Sequence, residues 1–91
     1  MTSNQLICRI CGDRARGMNF GVMTCMSSKS FFRRNALKPA NSFQCSKSST
    51  CEINKEKRMK CTSCRLKKCL LLGMKSELIR SFNQYQLTKV R

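Results

Sequence analysis

Two stretches of this chain sort their residues at helical pitch. In residues 25–37 (CMSSKSFFRRNAL), Cys25, Ser28, Phe31, Phe32 and Asn35 fall on one side, with Met26, Lys29, Ser30 and Arg33 on the other. In residues 61–73 (CTSCRLKKCLLLG), Thr62, Leu66, Cys69 and Leu70 share a face, and Gly73 stands where a left-handed C-cap would close the helix. The spacing predicts two amphipathic helices of about three turns each. Beyond them, Ser76 stands as the N-cap of a third helix whose Leu78, Phe82 and Tyr85 line up at i, i+4 and i+7. Residues 38–42 (KPANS), with the only proline, read as a loop between two halves.

A chain of 91 residues buries only a modest share of its surface on folding and needs a staple. Eight cysteines supply one, either as a disulfide scaffold or as metal ligands. The opening MTSNQL lacks the basic start, apolar stretch and cleavage site of a secretory signal, and no apolar run approaches a membrane span. A reducing compartment favours metal binding. A secreted peptide that had lost its signal would instead carry four disulfides and no metal.

Nineteen Lys and Arg against four Asp and Glu give a net charge of +15, and with no histidine that figure hardly changes around neutral pH. Seven thiolates holding two Zn²⁺ ions would lower it only to about +12. The partner is therefore expected to be polyanionic. An anionic membrane or an acidic protein would satisfy that demand, but basic charge interleaved with metal ligands points first to nucleic acid.

The cysteines run Cys8-x2-Cys11-x13-Cys25 and then Cys45-x5-Cys51-x9-Cys61-x2-Cys64, with Cys69 left over. The second group is a complete four-thiolate set for tetrahedral Zn²⁺, because a CxxC turn brings two sulfurs to one ion at about 2.3 Å without backbone strain. Scattered buried thiols are the bland alternative, and two CxxC pairs with matching partners argue against it. An open zinc position would also suit catalysis. With no histidine, only Asp13, Glu52, Glu56 and Glu77 as carboxylates and no zinc-deaminase signature, an enzyme is not expected.

Taken in order, CRICGDRARGMNFGVMTC, SFFRRNA and KCTSCRLKKCLLLGM resemble the zinc modules and helices of the nuclear-receptor DNA-binding domain, over about residues 7–74. FFRRNALK and GMKSE are similar to the vitamin-D-receptor and invertebrate xenobiotic-receptor branch. The resemblance implies a small zinc-organised α-rich domain, with two crossed amphipathic helices packed over zinc-held loops. A flexible lead-in at 1–6 would precede it and a C-terminal extension at 75–91 would follow. Two Zn²⁺ ions are implied. Where the family has the fourth cysteine of its first site, this chain has Ser28. A neutral hydroxyl donates poorly beside a thiolate, so Cys8, Cys11 and Cys25 are expected with water, with a weakly held Ser28 oxygen, or with no zinc. Cys69 is the one spare thiol that could rescue the site, although the family packs its counterpart between the helices.

By the same resemblance, residues 25–37 enter the major groove of double-stranded DNA, with Lys29 donating to guanine. Spacing alone turns Lys29 and Arg33 outward together once Phe31 and Phe32 are core. The family's half-site discriminators align with Met26, Ser27 and Ser30, and Met26 offers only apolar contact, as to a thymine methyl. Arg34 suits a phosphate by its place on the helix flank. Arg58 and Arg65 align with the family's phosphate grip, helped by Lys57, Lys60 and Lys68. The family's His-Tyr phosphate pair is here Asn19 and Phe20, and Phe20 lacks the hydroxyl.

Phe31, Phe32 and Leu66 are read as core. Residues 46–50 (SKSST) match a loop that contacts a second subunit, in a homo- or heterodimer, on tandem half-sites. The extension would lie along the minor groove, and the runs KEKRMK and RLKK suit nuclear import. A ligand-binding domain, usual in the family after this module, is not expected within these residues. The competing class is a zinc-bound protein-interaction module of the LIM kind, which shares CxxC pairs without needing the Lys29/Arg33 face.

Overall fold

The computed structural model describes residues 6–80. Its elements run β1 (Met18–Asn19), β2 (Val22–Met23), α1 (Met26–Asn35), a 3-10 turn (Ala40–Ser42) and α2 (Thr62–Leu71). Residues 77–80 are again helical. The two strands pair antiparallel, Met18 opposite Met23 and Asn19 opposite Val22. Phe20 and Gly21 between them have φ 55 and 99, the left-handed pair that a two-residue type I′ turn requires. A bulky side chain is uncommon there. Phe20 is held by burial and by the Phe32 ring, 5.6 Å away.

Both helices start on a thiol. Cys25 caps α1 and its Sγ accepts from the Ser28 N–H, while Cys61 caps α2 and its Sγ accepts from the Cys64 N–H. A thiolate there satisfies an orphan donor and lies at the positive end of the helix dipole. The left-handed cap predicted at Gly73 is present, with φ 104. The Gly73 N–H donates to the Leu70 carbonyl (3.1 Å) and the Met74 N–H to the Cys69 carbonyl (3.0 Å). That double bond pattern is the Schellman closure.

One core, containing Ile10, Phe20, Val22, Phe31, Phe32, Ile53, Cys69, Met74 and Ile79, joins the two halves. α1 buries Ser28, Phe31 and Phe32 as its pitch predicts, and it packs on α2. The face predicted for α2 needs correction. That helix buries Cys64, Arg65 and Cys69, while Leu66 is half-buried at the edge of the core and Leu70 and Leu71 are 50% and 75% exposed. Cys61 and Cys64 must both reach one metal cluster, and that demand fixes the rotation of α2 with Leu70 and Leu71 outward.

The last helical segment is also turned from its expected stripe. Ile79 is fully buried and Leu78 is 39% exposed, while Phe82 and Tyr85 lie outside the described residues. The Lys75 N–H donates to the Phe20 carbonyl (2.8 Å), so the core continues past residue 74 to Ile79. Of the expected lead-in only Leu6 is described, and its carbonyl accepts from the Ala15 N–H (2.9 Å).

Candidate metal centres and nucleic-acid interface

Cys45, Cys51, Cys61 and Cys64 place their sulfurs within 4.8 Å of one another. The Cys45–Cys51 and Cys45–Cys64 separations are 3.5 and 3.6 Å, close to the edge of about 3.8 Å of a tetrahedron with Zn–S bonds of about 2.3 Å. The Lys47 N–H, 3.2 Å from Cys45 Sγ, is the main cause that draws the Cys45 thiol down to about 6. Cys51 is pushed up to about 12, first by its neighbour Cys45 and then by burial. Such a set suits a dication, which takes the place of the protons that the thiols hold.

Cys8, Cys11 and Cys25 form a second, fully buried cluster with sulfurs within the same 4.8 Å. Ser28, 0% exposed, fills its fourth side. The Cys8 thiol donates to Ser28 Oγ (3.5 Å), and the Ser28 hydroxyl donates to Cys11 Sγ (3.8 Å). Burial pushes the Cys8 thiol up, but Ser28 and the surrounding backbone outweigh it and bring it to about 7. Cys69 belongs to neither cluster; burial in the core pushes its thiol up to about 12. The rescue route through Cys69 is therefore not built. All eight cysteines are free, so the disulfide alternative is not realised either.

The two clusters share one construction that the spacing of the sequence concealed. The CxxC pair Cys8/Cys11 invites pairing with Cys61/Cys64 as twins. In space, the twin of Cys61-x2-Cys64 is Cys25-x2-Ser28, because each supplies a helix N-cap and the residue one turn later. The signal was present as a three-residue step into a helix, masked by the serine.

Two arginines expected at the phosphate grip turn inward. Arg58, 19% exposed, donates to Asp13 Oδ2 (3.0 Å) and to Cys11 Sγ (3.3 Å), and these partners, Cys11 first, raise its pKa. The Arg14 N–H and then Arg58 hold the Asp13 carboxyl below its usual range. Arg65 is 2% exposed and donates to Ser27 Oγ (2.9 Å) and Ser28 Oγ (3.2 Å), with its guanidinium 4.4 Å from the Phe31 ring centre. Burial lowers its pKa, and its Nε has no hydrogen-bond partner among the described residues. Both side chains act as struts from the second half onto the first cluster. Sequence reasoning missed this role, although Asp13, one of four acidic residues in a strongly basic chain, was a signal for it.

The outer face of α1 carries Met26, 49% exposed, with Arg33 and Arg34 exposed and Lys29 and Ser30 half-buried. Ser27 is half-buried against Arg65. Lys57 pairs with Glu52 (3.3 Å), Lys68 donates to the Ile53 carbonyl (3.3 Å), and Lys60 is exposed. Asn19 bridges the hairpin, donating to the Gly17 carbonyl (3.2 Å) and Thr24 Oγ1 (2.9 Å). Residues 46–50 are all exposed. Among the described residues, no helix is long and apolar enough to cross a membrane.

The sequence model of the double treble clef zinc finger, C4 type, matches residues 6–76. Relatives include nuclear receptor subfamily 1 group I member 2 of Mus musculus, 51% identical over 82% of this chain. Nuclear hormone receptor family member nhr-8 of Caenorhabditis elegans is 52% identical over 78%, and vitamin D3 receptor B of Danio rerio is 45% identical over 91%. The chain spans 17%, 12% and 19% of the lengths of these three proteins. By the family match and by its two cysteine clusters, the chain belongs to the C4-type double treble clef zinc fingers, the DNA-binding zinc fingers of the nuclear receptors.

Proposed function

We propose that this domain reads double-stranded DNA for a nuclear-receptor-type transcription regulator, with α1 in the major groove. The observation that carries the reading is the division of α1. Ser28, Phe31 and Phe32 are locked in the core, so Met26, Lys29, Ser30 and Arg33 are presented together, on a helix whose first turn carries no acidic residue. In this pose Lys29 donates to guanine O6 and N7, and Met26 meets a thymine methyl. Arg34, the outer edge of Arg58, and Lys57, Lys60 and Lys68 hold phosphates and set register. Arg65 works from inside, bracing Ser27 and the start of the reading helix.

Cys45, Cys51, Cys61 and Cys64 would hold one Zn²⁺, and Cys8, Cys11 and Cys25 a second. The metal supplies folding energy and no substrate chemistry. The 46–50 loop is proposed as a DNA-dependent contact with a second subunit on tandem half-sites, residues beyond 75 as a minor-groove extension, and the nucleus as the compartment.

The test is enrichment of random duplexes on the zinc-loaded chain, followed by sequencing. A recurrent short motif is the expected result, and Lys29→Ala should relax it at one base pair by about 1–3 kcal/mol. A pool without a motif would reject sequence reading.

A further inference from the structure

The first cluster has one thiol fewer than the second, yet its fourth corner is filled. A tetrahedral ion held by three sulfurs at about 2.3 Å and one oxygen at about 2.0 Å has S···S edges of about 3.8 Å and S···O edges of about 3.5 Å. Here Cys11 Sγ and Cys25 Sγ are 3.6 Å apart, and Ser28 Oγ lies 3.5 Å from Cys8 Sγ and 3.8 Å from Cys11 Sγ. Ser28 follows the N-cap Cys25 by three residues, as Cys64 follows Cys61. The first turn of α1 thus aims an oxygen where the first turn of α2 aims a sulfur. Full burial of Ser28 leaves little access for a competing water.

A neutral hydroxyl is a weaker donor than a thiolate, and the surroundings of this one compensate. Its oxygen has two acceptor lone pairs. One takes the Arg65 N–H at 3.2 Å; the other takes the Cys8 thiol proton, which a bound metal would displace, leaving that lone pair facing the ion. Arg65 is itself held by Ser27 Oγ and the Phe31 ring, so the guanidinium is fixed before the metal arrives. A hydrogen bond donated to the ligand oxygen fixes its orientation, so that the remaining lone pair is aimed at the ion.

We propose that Ser28 Oγ is the fourth ligand of the first zinc site, and that Arg65 is the positioning residue that holds this oxygen on the ion. The proposal rests on the zinc-organised reading of the domain and is independent of DNA binding. It makes the first site the more labile of the two and couples its loading to the junction of α1 with α2.

The experiment is titration of the full chain, reduced and metal-free, with Co²⁺, whose visible absorption distinguishes three sulfurs plus one oxygen from four sulfurs. The wild type should take two ions, the weaker one with the oxygen-ligated spectrum. Ser28→Cys should give two four-sulfur spectra, and Ser28→Ala should weaken the first site by about tenfold or more. Arg65→Met should weaken the first site about 10–100-fold and leave the second unchanged. That effect should vanish in a Ser28→Ala background, where no oxygen remains to be held. Ser28→Ala removes a single oxygen atom, so it tests the ligand even where loss of Arg65 harms the fold. A wild type that takes one Co²⁺, or a Ser28→Ala chain with wild-type affinity and spectrum, would overturn the ligand. An Arg65→Met effect of equal size with and without Ser28 would overturn the positioning role.

Discussion

Truncating Phe32 to alanine empties a position that is 0% exposed and removes the partner of the Phe20 ring, 5.6 Å away. Deleting a buried phenylalanine side chain costs about 3–5 kcal/mol, and the lost ring pair accounts for about 0.5–1.5 kcal/mol of it. A 91-residue chain has roughly 5–14 kcal/mol to lose. At about 4–8 °C per kcal/mol for a domain of this size, Phe32→Ala should lower Tm by about 12 °C or more. Arg33→Ala, one residue on and exposed, should cost about 0.5 kcal/mol or less and weaken DNA binding. The pair separates the core face of α1 from its reading face. Circular dichroism melting of the zinc-loaded proteins, with fluorescence anisotropy on a labelled duplex, reads both quantities. Phe32→Ala melting within about 4 °C of wild type, or Arg33→Ala melting as low as Phe32→Ala, would refute the division of the helix.

Gly73→Ala should cost about 1–2 kcal/mol from backbone strain alone, because φ is 104 while a Cβ would meet only Val22 Cγ2 at 4.0 Å; thermal melting checks it. The Asp13 carboxyl has a lowered folded-state pKa, so the stability it adds is complete above the ordinary carboxylate range and fades as pH falls through the lowered value. Asp13→Asn should therefore cost the same at about pH 6 as at about pH 8, and a cost that changes over that interval in melting experiments would implicate another group. DNA affinity should drop on the order of tenfold or more between about 50 and 200 mM salt. A flat profile in anisotropy titrations would exclude a phosphate-anchored complex.

Local rules made much of this domain legible in its sequence. The pitch of residues 25–37 located α1 and its buried phenylalanines, the glycine at 73 marked the end of α2, and cysteine spacing assembled both clusters. What local pattern could not supply was the rotation of α2. Thr62, Leu66, Cys69 and Leu70 look like the core face, but two ligands on the first turn decide which side turns in, and of these four only Cys69 is buried, beside Cys64 and Arg65. The buried arginines were hidden for a related reason. Arginine is usually a surface residue, and the partners that draw Arg58 and Arg65 inward, Asp13 and Ser28, lie 45 and 37 residues away. Only the folded chain brings them together.

The most direct test of a zinc-built DNA reader is competition anisotropy on the enriched duplex, before chelation, after it, and after Zn²⁺ is restored. Binding that resists a non-specific competitor should disappear on chelation and return with the metal. Sequence-selective binding that persists with both clusters emptied would contradict the account.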